Sequence, residues 1–131
     1  MTQRKITATL KKINLTFQNG NSLEALILNY HLNITLIKLI CLSSELTGFN
    51  KDKKIKKILS ELSRELRTNQ KLKGIISKTN LKMVKVWLGK MDDFFKLLKH
   101  NYPSNVKMLF QETQKITGVL NISTHKIVTH S

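Results

Sequence analysis

Apolar residues recur along most of the chain at the three- and four-residue spacing of an α-helix. The first run carries them 4, 3 and 4 residues apart: Ile6, Leu10, Ile13 and Phe17. This spacing places them on one face of a helix. Asn19-Gly20-Asn21 follows and predicts the end of that helix, because glycine suits the left-handed backbone of a C-cap.

The next two segments predict a short helix and then a strongly apolar one. Ser22 is a candidate N-cap for the short helix, whose apolar positions are Leu23, Leu26, Ile27 and Tyr30. Thr35 is a candidate cap for the third helix, which Gly48 would end. This third segment is apolar nearly all round, so we expect it at the centre of the fold.

The second half of the chain predicts further helices. Asp52 is a candidate cap for a helix with a regular apolar stripe: Ile55, Ile58, Leu59, Leu62 and Leu66. One long helical pattern then runs from about residue 70 to residue 99, with Gly74 and Gly89 as points where it weakens into two helices. Asn101-Tyr102-Pro103 interrupts it, and Ser104 is a candidate cap for a last helix that ends at Gly118.

Together these segments predict an all-α fold, a compact bundle of five to six helices. The length of 131 residues fits one domain. We expect this helical domain to occupy residues 1–120. Residues 121–131 are mostly polar, and we expect a frayed C-terminal tail there.

The charge balance is far from that of an ordinary small domain. The chain has 23 Lys+Arg against 8 Asp+Glu, a formal net charge of +15. Such a surface attracts acidic partners: nucleic acid, anionic membranes or acidic peptides. Residues 51–99 hold 15 Lys+Arg and 5 Asp+Glu, which is a net charge of +10. An AT-rich genome would also enrich Lys, Ile and Asn, so composition alone does not assign a partner.

Several features predict an intracellular protein. Cys41 is the one cysteine, so no internal disulfide can form, and a reducing setting is expected. The start of the chain lacks the apolar core of a signal peptide. We expect no membrane span, because no apolar stretch reaches the roughly 18 residues that one needs.

The sequence contains no spacing of acidic residues or histidines that is typical of a catalytic or metal site. The one adjacent acidic pair, Asp92-Asp93, would point about 100° apart on a helix. The four histidines lack a histidine or acidic partner at helical spacing: His31, His100, His125 and His130. We therefore expect no catalytic site, no metal site and no cofactor.

The aromatic residues favour packing over ligand binding. Trp87 falls on the apolar stripe of the long segment and is expected in the core. Phe17 either closes the core or lines a groove between loops. Phe94 and Phe95 span two helix faces, so one ring is expected near the surface. A dimer contact is also possible through Phe94, Phe95, Leu109 and Phe110.

Three strings resemble the N-terminal domain of transcription elongation factor TFIIS and the integrase-binding domains related to it. The string from Leu23-Glu24-Ala25-Leu26 to Leu32-Asn33-Ile34-Thr35 resembles the family's helix, turn and Thr-capped next helix. Met83-Val84-Lys85-Val86-Trp87-Leu88-Gly89-Lys90 is similar to the segment that holds the family's tryptophan. Lys53-Lys54-Ile55-Lys56-Lys57-Ile58 resembles a basic segment beside the pocket of the integrase-binding branch.

The resemblance implies a nuclear adaptor of transcription or chromatin proteins. Such an adaptor holds short, acidic, disordered peptides that carry an aromatic anchor. The resemblance places the partner-binding pocket between two interhelical loops, at Phe17, Gln18, Asn19, Lys53, Lys54, Lys56, Lys57 and Ile58.

Three other functions stay open. The first is non-specific binding of DNA or RNA, with contacts from Lys51, Lys53, Lys54, Lys56, Lys57, Arg64, Arg67, Lys71 and Lys73. The second is attachment to an anionic membrane through a basic amphipathic helix at residues 82–99. A small enzyme ranks last, because the sequence offers no site for it.

Overall fold

A computed structural model describes residues 2–46, 50, 52–100 and 105–128, with side chains as far as residue 126. Within these residues the chain forms helices and no strand. The helices are α1 (Gln3–Gln18), α2 (Ser22–Ser43), α3 (Ile55–Glu65), α4 (Gln70–Ile75), α5 (Lys78–Leu98) and α6 (Val106–Val128). The predicted all-α bundle of five to six helices is therefore confirmed.

The ends of α1 follow from its flanking residues. The Thr2 hydroxyl accepts a hydrogen bond from the Lys5 backbone N–H at 3.2 Å, which caps an otherwise unpaired donor. At the other end Gly20 has a φ of +88°. The left-handed turn predicted at Gly20 is confirmed.

Helix α2 is one uninterrupted helix, and the predicted break before Thr35 is wrong. The Thr35 hydroxyl does not cap a new helix but donates to the His31 carbonyl one turn earlier, at 3.0 Å. No glycine or proline interrupts the segment. The N-cap is Asn21, and Ser22, the predicted cap, is the first helical residue.

By length and composition α2 is also apolar enough to cross a membrane, with a mean hydropathy of 1.6 over an 18-residue window. One such helix is weak evidence of a membrane span, so the described residues give no clear transmembrane segment. Half of that window is buried inside the bundle, as in the core helix of a folded domain. The prediction that the third segment lies at the centre of the fold agrees with this burial.

The middle helices begin at residues other than those predicted. Helix α3 begins at Ile55 after Lys54, while the predicted cap, Asp52, lies in the preceding turn. The long pattern divides at Ile76 and Ser77 instead of at a glycine. Ser77 caps α5 by accepting from the Asn80 backbone N–H at 3.0 Å.

Helix α6 continues well past its predicted end, so the expected frayed tail is wrong for residues 121–128. Gly118 lies inside the helix, where a glycine is tolerated at a small cost. Leu120, Ser123 and Thr124 are buried beyond it and hold the added turns against the bundle. The predicted cap Ser104, the predicted stop Gly48 and the break at 101–103 lie outside the described residues.

Helix α2 packs between α1 and α6, and α5 packs between α6 and α3. Helix α4 also contacts α6. The most extensive contact joins α2 to α6. Trp87 is 2% exposed, which confirms the prediction that it packs in the core. Of the four residues considered for a dimer contact, Phe94, Leu109 and Phe110 are buried in the same core, and Phe95 is partly buried against it.

A buried polar network joins α2, α6 and α5. The Asn29 side-chain amide donates to the Thr117 hydroxyl at 2.7 Å, and that hydroxyl lies 2.7 Å from the Asn33 amide oxygen. One turn away, the Trp87 indole N–H donates to the Thr113 hydroxyl at 2.9 Å. Because buried polar groups need partners, these bonds fix how the three helices align.

Candidate partner-binding groove

The first half of the predicted loop pocket lies at the end of α1. The Phe17 ring stacks on Phe110 of α6, with centroids 4.3 Å apart and the planes at 6°. Phe17 therefore closes the core, which was one of its two predicted roles. Gln18 and Asn19 are exposed beside it.

The second half of that pocket lies at the start of α3. Lys54, Lys56 and Lys57 are exposed, with Lys53 beside them in a shallow depression. Ile58 is fully buried, so it supports α3 from the core and is not free to touch a partner. None of the three grooves described in this section includes Phe17, Gln18 or Asn19.

Lys53 also has a structural partner in this segment. Its ammonium lies 2.8 Å from a carboxylate oxygen of Glu61, two turns along α3. This hydrogen bond lowers the pKa of Glu61, and the nearby positive charges of Lys53, Arg64 and Lys57 act in the same direction. The pair ties the loop before α3 to the helix itself.

The residues of the nucleic-acid hypothesis do not share one groove. Lys71 is paired with Glu45 at 3.3 Å, and Arg64 is exposed on α3. Arg67 and Lys73 instead line a separate groove beside α5. Lys51 lies outside the described residues.

This separate groove, which we call the basic groove, is the largest concave surface of the three. It has a volume of about 980 Å³, at the upper end of the range of about 300–1,000 Å³ typical of ligand sites. The end of α3, α4 and the first half of α5 form it. Its lining consists of Ser63, Leu66, Arg67, Lys73, Ile76, Ser77, Lys78, Leu81, Lys82, Lys85 and Val86.

Every charged residue that lines the basic groove is positive. The five are Arg67, Lys73, Lys78, Lys82 and Lys85. None of them forms an ion pair with an acidic residue in the described part of the chain. Unneutralised like charges in one concavity raise the local potential and attract an anionic group.

Three of these cations form a regular row on α5. Lys78, Lys82 and Lys85 follow one another at spacings of four and three residues, so they share one face of the helix. A rise of 1.5 Å per residue gives this row a length of about 10.5 Å. Like charges at this spacing weaken a helix by roughly 0.2–0.5 kcal/mol per pair, a cost that an anionic partner would remove.

The remaining lining residues are largely apolar. Leu66, Ile76 and Leu81 are only 8%, 3% and 3% exposed, so they contribute to the base of the groove. Val86 is 54% exposed at the edge of the groove, which is high for a branched apolar side chain. The groove thus combines an apolar base and edge with a cationic rim.

A second, smaller groove adjoins the first on the other side of α5, against α6. Lys82 and Val86 line both grooves, and Met83 and Trp87 line the second one. Here a cation is neutralised, because Lys90 lies 3.1 Å from Glu112. The basic groove therefore differs from this second groove in having no acidic residue in its lining.

The described residues do not present a reactive cluster. No group of three or more His, Cys, Asp and Glu among them is placed to hold a metal ion. Burial, reinforced by the negative charge of Glu61, raises the pKa of the Cys41 thiol to about 12. A thiol with this pKa stays protonated near neutral pH, so it is not a ready nucleophile.

The most distinctive residues of the basic groove were not among the predicted site residues: Lys78, Lys82, Lys85 and Val86. The concentration of charge in residues 51–99 indicated the correct half of the chain. The row of lysines is also visible in the sequence as a four-three spacing. Its apolar neighbours become recognisable only when α3 and α4 are placed beside α5.

Comparison with family models, with curated proteins and with solved structures finds no match to this chain.

Proposed function

We propose that this protein is a non-catalytic binding module that holds acidic peptide segments of other proteins in the basic groove. The observation that carries the proposal is the coincidence of five unpaired cations with an apolar base and edge in one concavity. The cations attract and orient carboxylates, while the apolar surface takes an anchoring side chain.

The apolar part of the groove favours a peptide over nucleic acid. A phosphate backbone gains from the lysines but has nothing to place against Val86 and the leucines. Single-stranded nucleic acid is usually held by aromatic rings on which bases stack, whereas no aromatic residue lines the basic groove. Non-specific nucleic-acid binding remains the alternative, since Arg67 and Lys73 belong to both hypotheses.

The cellular setting of this function comes from the sequence resemblance alone. We propose, on that basis, a nuclear adaptor of transcription or chromatin proteins. The predicted acidic character of its partners agrees with the charge of the basic groove, although the groove lies at a different place from the predicted loop pocket.

Two titrations distinguish the two functions. The first uses an acidic peptide that carries a leucine or phenylalanine anchor, and the second uses a short DNA duplex. We expect saturable peptide binding that weakens about tenfold or less between about 50 and 200 mM salt, because part of the affinity is apolar. Duplex binding through all five cations would instead weaken by roughly several hundredfold over that range. A steep salt dependence with no saturable peptide binding would replace our proposal with the alternative.

A pair of matched variants tests the apolar part of the proposal. Val86→Gln removes an exposed apolar side chain of the groove, and we expect about fivefold weaker peptide binding. Leu97→Gln makes a comparable change on the same helix at a side chain that is 58% exposed and outside the groove. Equal effects of the two substitutions would show that Val86 does not contact the peptide.

A further inference from the structure

We infer that the segment held in the basic groove is an amphipathic α-helix whose apolar stripe is flanked by carboxylates. This inference rests on the proposed function and adds the conformation of the partner. Three features of the groove support it: the form of its walls, the spacing of its cations and the sign of its charge.

The walls of the groove offer no strand edge to an extended peptide. An extended peptide usually pairs its backbone with a strand edge, and the described residues contain no strand. The groove is built from α3, α4 and α5, whose backbone groups are largely paired within the helices. A helical peptide satisfies its own backbone and can lie on an apolar surface without unpaired polar groups.

The cations on α5 repeat with the period of a helix. Carboxylates on a partner helix that lies along α5 would recur at the same four-three spacing as Lys78, Lys82 and Lys85. Arg67 and Lys73 extend from the α3 and α4 side of the groove. Acids on both flanks of the partner's apolar stripe would therefore each have a cation to face.

The charge of the groove argues against a second copy of this chain as the occupant. The chain has a net charge of +15, and a symmetric contact through this surface would bring the five cations of one copy toward those of the other. Like charges placed opposite each other disfavour that contact. An acidic helix of another protein is the complementary partner.

Three peptides of equal net charge test the inference with the 131-residue chain. The first carries leucines at i, i+4 and i+7 with glutamates on both flanks. The second has the same composition in scrambled order, and the third has a proline in the middle of the first sequence. Affinity is measured by calorimetry, and the conformation of the bound peptide is measured from ¹³Cα chemical shifts of labelled peptide.

We expect the first peptide to bind with helical ¹³Cα shifts and the other two to bind at least about tenfold more weakly, since proline breaks a helix interior. Equal binding of all three, with shifts that stay in the coil range, would overturn the helical inference and leave peptide binding in place. If no acidic peptide binds, while duplex DNA or anionic vesicles do, the inference and the proposed function both fall.

Discussion

The buried hydroxyl of Thr117 on α6 forms hydrogen bonds with two buried asparagines on α2. It accepts a hydrogen bond from Asn29 and lies 2.7 Å from the Asn33 amide oxygen. We expect Thr117→Val to lower the free energy of unfolding by about 1–3 kcal/mol, because both asparagines lose a partner in the core. Urea denaturation followed by circular dichroism measures this change.

Thr16→Val is the matched control for that substitution. Among the described residues, the Thr16 hydroxyl donates to the Lys12 carbonyl on the solvent side of α1. Its replacement should change the free energy of unfolding by less than about 0.5 kcal/mol. A loss of stability as large as that of Thr117→Val would contradict the importance of the buried network.

The buried thiol of Cys41 predicts a change of stability with pH. Its pKa is raised to about 12 in the folded protein, while an unfolded thiol titrates near about 8.5. The folded state therefore holds the proton more tightly. Its contribution is complete below about pH 8.5 and is lost as the pH rises toward 12.

Comparison of the wild type with Cys41→Ala isolates this contribution from that of the lysines. We expect the stability of the wild type relative to the variant to decrease between pH 8 and pH 11, by at most about 1.4 kcal/mol per pH unit. Chemical denaturation at several pH values gives the difference. A constant difference over this range would mean that the thiol does not titrate differently in the folded state.

At the scale of the helix, glycines of α5 and α6 are sites where stability can increase. A Cβ atom added at Gly89 or Gly118 would have no neighbour within 4 Å. We expect Gly89→Ala and Gly118→Ala each to raise the free energy of unfolding by about 0.5–1 kcal/mol. Gly20→Ala should lower it by about 1–2 kcal/mol, because Gly20 has a left-handed backbone. Thermal unfolding of the three variants would contradict this account if all shifted in the same direction.

The row of lysines on α5 predicts opposite effects on stability and binding. Lys82 lies one turn from Lys78 and from Lys85 on α5. Lys82→Glu therefore converts two like-charge pairs into two opposite-charge pairs. We expect a gain of about 1 kcal/mol in stability together with weaker binding of acidic peptides. Parallel measurement of unfolding and peptide affinity tests this separation; a loss of both would indicate that Lys82 has a structural role instead.

A helix boundary could be predicted only where the local backbone conformation strongly restricts the residue type. Gly20 ends α1 as expected, because its conformation excludes most other residues. Thr35 was misread, since a threonine hydroxyl can bond either as a cap or to the carbonyl one turn earlier. Gly118 was misread as a stop, because the buried residues that continue α6 find their partners on other helices.

For the molecule as a whole, the fold class and the general location of the basic site followed from the sequence. The helical spacing of apolar residues is a local property, and so is the excess of lysine in residues 51–99. The basic groove is not local, because Leu66 and Arg67 come from the end of α3 and Val86 from the middle of α5. The family resemblance placed Phe17 in one pocket with residues 53–58. In the structure α1 packs on α2, whereas α3 packs on α5.

The most direct test of the account is the affinity of an acidic, leucine-containing peptide for three charge-matched variants. Lys78, Lys82 and Lys85 are changed to Glu in the first. The other two place the same charge change outside the basic groove, in Lys54, Lys56 and Lys57 of the predicted loop pocket and in Lys5, Lys12 and Lys107 elsewhere. The account predicts that the first variant loses binding and that the two others retain most of it. Equal losses in all three would contradict a specific groove and leave only the overall charge of the protein as the source of binding.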